Sequence, residues 1–419
     1  MLPLSLPGKA PVMMRIIRLL VVTVVPLLLI VILNSMLAFP AQASPSGVCE
    51  PDGQLPSGAY YRICMPTGIW NGDLVIYAHG YVAYNKPITI PEDQLQLPGG
   101  VSLPELINSL GFAFATTSYR MNGLAVETGV ADLVDVADVF SATHTVPTHT
   151  LLTGVSEGGL ITALAIEQRY DVFDGGLAAC GPIGDFRKQI DYFGDFRVLF
   201  DYFFPGVMPG SPISIPQPLI DNWPAYYTAT IRPLIFAPTN TAQLDQLLRV
   251  SHAPYVTGVI TTIDMSVLDA LSYNVLATND AVQKLGGQPF DNQARVYAGS
   301  ADDTQLNQQV QRFSADAVAL QDVELNYQTT GQLTVPLVTL HTTLDQQVPY
   351  WHAQLYRVKV IQRDSLAFHQ PTEVNRYGHC YFEASEALGS FLQLVGMVLN
   401  PPTPYASPRL YLPVMSSGQ

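Results

Sequence analysis

Positive charge is what this chain lacks. Lysine and arginine number 20 against 34 aspartates and glutamates, for a formal charge of −14. Such a surface has no electrostatic grip on phosphate backbones or anionic lipid, so no nucleic-acid partner is expected. Charged residues are only 13 % of the chain and apolar residues 48 %, which excludes a disordered, highly solvated polypeptide. No zinc-type Cys/His spacing and no phosphate-binding glycine loop occurs. The sequence therefore calls for no metal and no cofactor. Cysteine is limited to four residues.

What is present begins with a targeting pattern. Lys9, Arg15 and Arg18 precede an apolar run at 19–33, broken only by Thr23 and Pro26, and Ala41-Gln42-Ala43 follows. The run is short for a membrane span, and the small-residue triplet is a cleavage signal. Residues 1–43 thus read as a signal peptide removed after Ala43. The alternative is an uncleaved anchor. The expected product is secreted, periplasmic or extracellular, with no stable membrane anchoring. Losing three basic and no acidic residues leaves 17 against 34, or −17.

The most informative segment is Leu151-Leu152-Thr153-Gly154-Val155-Ser156-Glu157-Gly158-Gly159-Leu160. It reads as an apolar strand, then G-x-S-x-G, then a helix. A serine on a sharp strand-to-helix turn stands clear of the sheet, and the helix N-terminus favours developing negative charge. Gly154 and Gly158 allow the turn to pack. The pattern alone is weak, but three further segments agree with it in order.

Upstream, the strand 73–78 ends in His79-Gly80-Tyr81. The loop after such a strand supplies one oxyanion-hole amide, here Tyr81, and the residue after the nucleophile supplies the other, here Glu157. His79 is expected to brace the loop and to take no proton. Downstream, a buried strand at 334–344 leads to Asp345. Aspartate in a loop commonly caps a turn, but a carboxylate at a strand's C-terminal end can also orient a catalytic histidine. Finally, Gly378-His379-Cys380 lies between the last strand and a final helix at 383–399. His379 suits the general base. The other seven histidines lie in strands, helices or the middle of the chain.

The order Ser156, Asp345, His379 is that of the α/β-hydrolases. The chain resembles that superfamily over about residues 58–182 and 334–399. More narrowly, it looks like secreted bacterial esterases and prolyl-oligopeptidase-like hydrolases with a GHC-type histidine loop. The serine excludes the dehalogenase branch, which has an aspartate there. The resemblance implies a mostly parallel central sheet with helices on both faces and a large, mainly helical cap inserted after the sixth strand. Residues 44–182 would form the first part of the core, 183–333 the cap, 334–400 the second part, and 401–419 a tail.

Four cysteines in an exported chain suggest disulfides, with three pairings possible. Cys49 and Cys64 flank the first strand region. Cys180 ends a strand and Cys380 follows His379, so a bond between them would pin the histidine loop to the sheet. Two free buried thiols are the alternative. The cap's first part is rich in aromatics, among them Phe186, Tyr192, Phe193, Phe196 and Phe200. Some would line an apolar cleft and most would form the cap's own core. The Glu157 side chain is expected either to cap its own helix, to be solvated, or to face the cleft.

The function these features imply is hydrolysis of a small-molecule or polymeric carboxylic ester through an acyl-enzyme. A serine peptidase with the same three residues is the alternative. A non-catalytic binding protein of this fold would be expected to lack one of them.

Overall fold

The computed structural model describes residues 47–97 and 99–402. The signal-peptide reading of residues 1–43 and all but the first two residues of the tail lie outside these. Among the described residues no helix is long and apolar enough to cross a membrane.

The strands are β1 (Val48–Cys49), β2 (Gly53–Gln54), β3 (Tyr60–Met65), β4 (Leu74–Ala78), β5 (Gln96–Leu97), β6 (Val101–Ser102), β7 (Ala113–Thr117), β8 (Thr150–Val155), β9 (Gly175–Ala179), β10 (Leu337–Leu344) and β11 (His369–Tyr377). Nine form one sheet in the order β1-β3-β7-β4-β8-β9-β10-β11, with β2 paired to β3. All pairings from β7 to β11 are parallel, and those of β1, β2 and β3 are antiparallel. β4 reads as an unbroken apolar run because both its faces are covered. Along β4, Leu74, Ile76 and Ala78 join the core on one face while Val75 and Tyr77 join the core on the other. That is the period of two a strand imposes.

Helices α1 (Leu103–Ser109), α2 (Val126–Thr143) and α3 (Glu157–Gln168) alternate with these strands. α2 and α3 supply Phe140, Leu160 and Leu164 to one core; Ile107 of α1, with Phe391 and Leu394 near the C-terminus, belongs to the other.

Between β9 and β10 the chain leaves the sheet. It forms α4 (Phe186–Phe203), α5 (Thr241–Ser251), α6 (Ile260–Lys284) and α7 (Ala317–Asn326), with shorter helical segments between them. This insertion has its own core, including Phe196, Phe200, Trp223, Leu247 and Val275. Each large side chain buried there contributes about 1.5–3 kcal/mol. The insertion follows the seventh strand of the sheet in chain order, not the sixth. Of the strands before it, β1 and β2 are two-residue strands in the proline- and glycine-containing lead-in, too short to leave a sequence pattern. After β10, α8 (Trp351–Gln362), β11 and α9 (Ala384–Leu399) complete the fold. Glu383 and Glu386 form a capping box at the start of α9.

Candidate active site

Ser156 sits between β8 and α3 at φ 58°, ψ −122°. A non-glycine residue in this region costs roughly 1–3 kcal/mol, tolerated where the surroundings fix it. Here they do. The Ser156 amide donates to the Ala179 carbonyl at 2.9 Å, and its own carbonyl accepts from Gly159 at 2.9 Å. The flanking glycines are set by close approach. A Cβ at Gly154 would lie 2.2 Å from the Gly158 carbonyl oxygen, and one at Gly158 would lie 2.1 Å from that of Ala78. Both obstacles are backbone and cannot swing away.

His379 reaches the serine from the loop after β11. Its Nε2 is 2.8 Å from Ser156 Oγ, and its Nδ1 is 2.8 Å from Asp345 Oδ2 and 3.0 Å from Oδ1. Asp345 is completely buried. Its Oδ1 also accepts from the amides of Gln347 at 2.9 Å and Val348 at 2.8 Å, the satisfaction a buried carboxylate requires. Three segments far apart in sequence are thus joined in one chain of hydrogen bonds. With Nδ1 donating to the carboxylate, Nε2 is left to accept from the serine hydroxyl.

His79 is buried and makes no contact with Ser156. Its Nδ1 donates to the Gly80 carbonyl at 2.7 Å, and its ring stacks on Tyr119 at 4.0 Å between centroids. Burial pushes its pKa down to about 4. Gln94 braces the same loop: its Oε1 accepts from the Gly80 amide at 2.7 Å. Among the described residues, the amides of Tyr81 and Glu157 donate to no other protein group.

The Glu157 side chain neither caps its own helix nor lies in solvent. Its Oε1 accepts from the Ala125 amide at 3.0 Å, and Ala125 is the N-cap of α2. Glu157 therefore satisfies an amide at the start of a neighbouring helix. It also lines a cavity beside Ser156. Burial raises its pKa to about 8, against the lowering effects of the Ala125 amide and Lys284.

Cys49 bonds Cys64 and Cys180 bonds Cys380, and no described cysteine is free. The second bond joins the end of β9 to the residue beside His379. Cys180, His379 and Cys380 also form the one group of potential metal ligands clustered among the described residues, but both sulfurs are committed to the disulfide.

Several residues of the site had no sequence signal. Tyr273 of α6 donates to Gln347 Oε1 at 3.0 Å. Asp269, one turn earlier, accepts from the side-chain amides of Gln346 at 2.7 Å and Gln347 at 3.0 Å. Tyr192 and Gln189 of α4 donate to the carbonyls of Gln346 and Gln347 at 2.8 and 2.9 Å. The loop after Asp345 is held by the insertion at Gln346 and Gln347 and by His341 of β10 at the Val348 carbonyl. The aromatics of the insertion divide: Phe186 and Phe193 line the cavity beside Ser156, while Phe196 and Phe200 lie in the insertion's own core.

The sheet order, the left-handed serine turn and the position of the insertion define an α/β-hydrolase fold. Comparison with solved structures agrees. An esterase from Aspergillus oryzae superposes with a TM-score of 0.50 at 16 % identity, over 83 % of this chain and 78 % of that one. Feruloyl esterase B from the same organism gives 0.46 at 14 % identity, over 84 % and 80 %. Dipeptidyl peptidase 4 from Porphyromonas gingivalis gives 0.43 at 9 % identity; the match covers 85 % of this chain but 36 % of that larger protein. At 16 % identity the likeness to the first of these bears on the fold alone. No protein-family model and no curated protein matches the sequence.

Proposed function

We propose that the protein is an exported serine hydrolase that cleaves carboxylic esters through an acyl-enzyme. The observation that carries this reading is the hydrogen-bonded series Ser156–His379–Asp345, with its two 2.8 Å links, on a strained turn. In this reading His379 takes the proton of Ser156 as the hydroxyl attacks the ester carbonyl. Asp345 fixes the imidazole tautomer and stabilises the imidazolium. The unengaged amides of Tyr81 and Glu157 receive the oxyanion. His379 then protonates the departing alcohol and activates the water that releases the acid. Two disulfides fit an oxidising compartment, in keeping with export.

The buried position of Glu157 beside Ser156 supports esters over peptides with a free amino terminus in this reading. With its pKa pushed up to about 8, it is mostly a neutral acid at pH 7 and offers little counter-charge to an α-ammonium group. The test is stopped-flow hydrolysis of short p-nitrophenyl esters. A burst equal to the enzyme concentration, absent in Ser156→Ala, is the expected result. Hydrolysis of aminoacyl amides without ester turnover would replace the reading with a peptidase. Failure to react with either, or with a fluorophosphonate probe, would leave a non-catalytic protein.

A further inference from the structure

The cavity beside Ser156 has a volume of about 110 Å³, and a second one of about 70 Å³ adjoins it, lined by residues of the insertion. Ile190 and Phe193 of α4 and Tyr273, Ala277 and Ala281 of α6 line both, so these side chains form the wall between the chambers. Residues 273, 277 and 281 are spaced by four and share one face of α6. Two alanines on that face leave space that larger residues would fill. The wall's bulk is the Phe193–Tyr273 pair, stacked at 4.8 Å between centroids and 11° between planes. Tyr273 is fixed, by its hydrogen bond to Gln347 and by the edge-on ring of Tyr81 at 5.7 Å. Phe290 borders the far chamber, and its ring would stand 2.3 Å from a Cβ at Gly194. Helix α4 can approach Phe290 only because residue 194 is glycine.

His379 is not among the residues lining the near chamber, whereas Ser156, Glu157 and Tyr81 are. A leaving-group oxygen must lie within reach of the histidine that protonates it. The group that enters the chamber is therefore the acyl group, with the alcohol on the histidine side.

We infer that the substrates are esters of short acids, and that Phe193 sets the upper limit of acyl length by bounding the near chamber. This rests on the serine-esterase reading above. A 150 Å³ apolar cavity takes benzene, or about 25 Å³ per carbon. On that scale the near chamber holds a tail of about four carbons beyond the carbonyl. The far chamber would add about three.

The test is kcat/KM for p-nitrophenyl acetate, butanoate, pentanoate and octanoate with the native protein, Phe193→Ala and Ala277→Leu. Ratios between esters within one variant are independent of the fraction of folded enzyme. The native protein should prefer butanoate or pentanoate to octanoate by tenfold or more. Phe193→Ala should raise the octanoate-to-butanoate ratio by about tenfold. Ala277→Leu, which fills the wall from the other helix, should raise the acetate-to-butanoate ratio by a similar factor. Equal use of octanoate and butanoate by the native protein, or unchanged ratios in both variants, would overturn the inference. Labelling of Ser156 by a fluorophosphonate without turnover of any ester would overturn it while leaving a reactive serine. Absence of labelling would remove the underlying reading as well.

Discussion

Removing the Cys180–Cys380 disulfide should separate its contribution to stability from its contribution to the site. The bond spans 200 residues and Cys49–Cys64 spans 15. Loop-closure entropy in the unfolded chain gives about 5 kcal/mol for the longer loop and about 3 kcal/mol for the shorter. The Cys180→Ala/Cys380→Ala variant should therefore lose about 2 kcal/mol more than Cys49→Ala/Cys64→Ala in urea denaturation. A second effect belongs to the long bond alone. Cys180 and Cys380 both have left-handed backbones, at φ 46° and 51°. An untied alanine leaves that region readily. Relaxation at residue 380 moves its neighbour His379, and a misplacement of about 1 Å in a reacting group costs on the order of 10²-fold in rate. In folded samples kcat should fall between tenfold and a hundredfold in the 180/380 variant and stay at the native value in the 49/64 variant. Native kcat in folded 180/380 variant, or equal stability losses for the two pairs, would refute the reasoning.

Two other substitutions probe the residues around the serine. Asp345→Asn keeps one oxygen for the Gln347 and Val348 amides but presents the wrong partner to His379 Nδ1; kcat should fall about 10⁴-fold with KM little changed, measured on a butanoate ester. Glu157→Gln tests the buried carboxyl through the pH dependence of stability. Its folded pKa of about 8 lies above the ordinary value of 4.5, so between these limits the folded chain holds a proton that the unfolded chain releases. The stabilisation is full below about pH 4.5 and is lost as pH rises through 8, by up to about 5 kcal/mol at 1.36 kcal/mol per unit. The glutamine, which still accepts from Ala125, should flatten that slope in thermal melts from pH 5 to 9.

The parts of the fold that could be read in the sequence are those whose cause is local. β4 is apolar along its whole length because it is covered on both faces, and that leaves a run. Ser156, Asp345 and His379 each stand at a strand end with its own short pattern, and their order along the chain supplied the rest. β1 and β2 left no run, being two residues long; their place depends on pairing with β3, where Cys49 lies opposite Cys64. The Glu157 side chain was ambiguous for a similar reason. Its partner, the Ala125 amide, lies 32 residues upstream, and no window around Glu157 contains it. Gln94, Asp269 and Tyr273 act across 14, 77 and 74 residues. Each is an ordinary polar residue on its own segment and acquires a role only when the segments meet.

Those long-range partners have a common consequence. The acid loop is fixed to the sheet through Asp345, which accepts from two amides of its own turn and holds His379, and through His341 of β10, whose Nε2 donates to the Val348 carbonyl at 2.8 Å. The next two residues direct both their side-chain amides to Asp269 and both their carbonyls to α4. Four hydrogen bonds of roughly 1 kcal/mol each thus tie the insertion to the residues immediately after the acid. Tyr273 adds a fifth while forming the partition of the cavity. The same helix that bounds the acyl chamber therefore also holds the turn that orients Asp345. A substitution on α6 that disturbs its path will alter the chamber and the acid together, whereas one on α4 at Phe193, which bonds neither carbonyl, reaches the acid loop only through its stacking on Tyr273. This is the physical reason that Phe193→Ala should disturb the catalytic geometry less than Tyr273→Ala, which removes the bond to Gln347 outright.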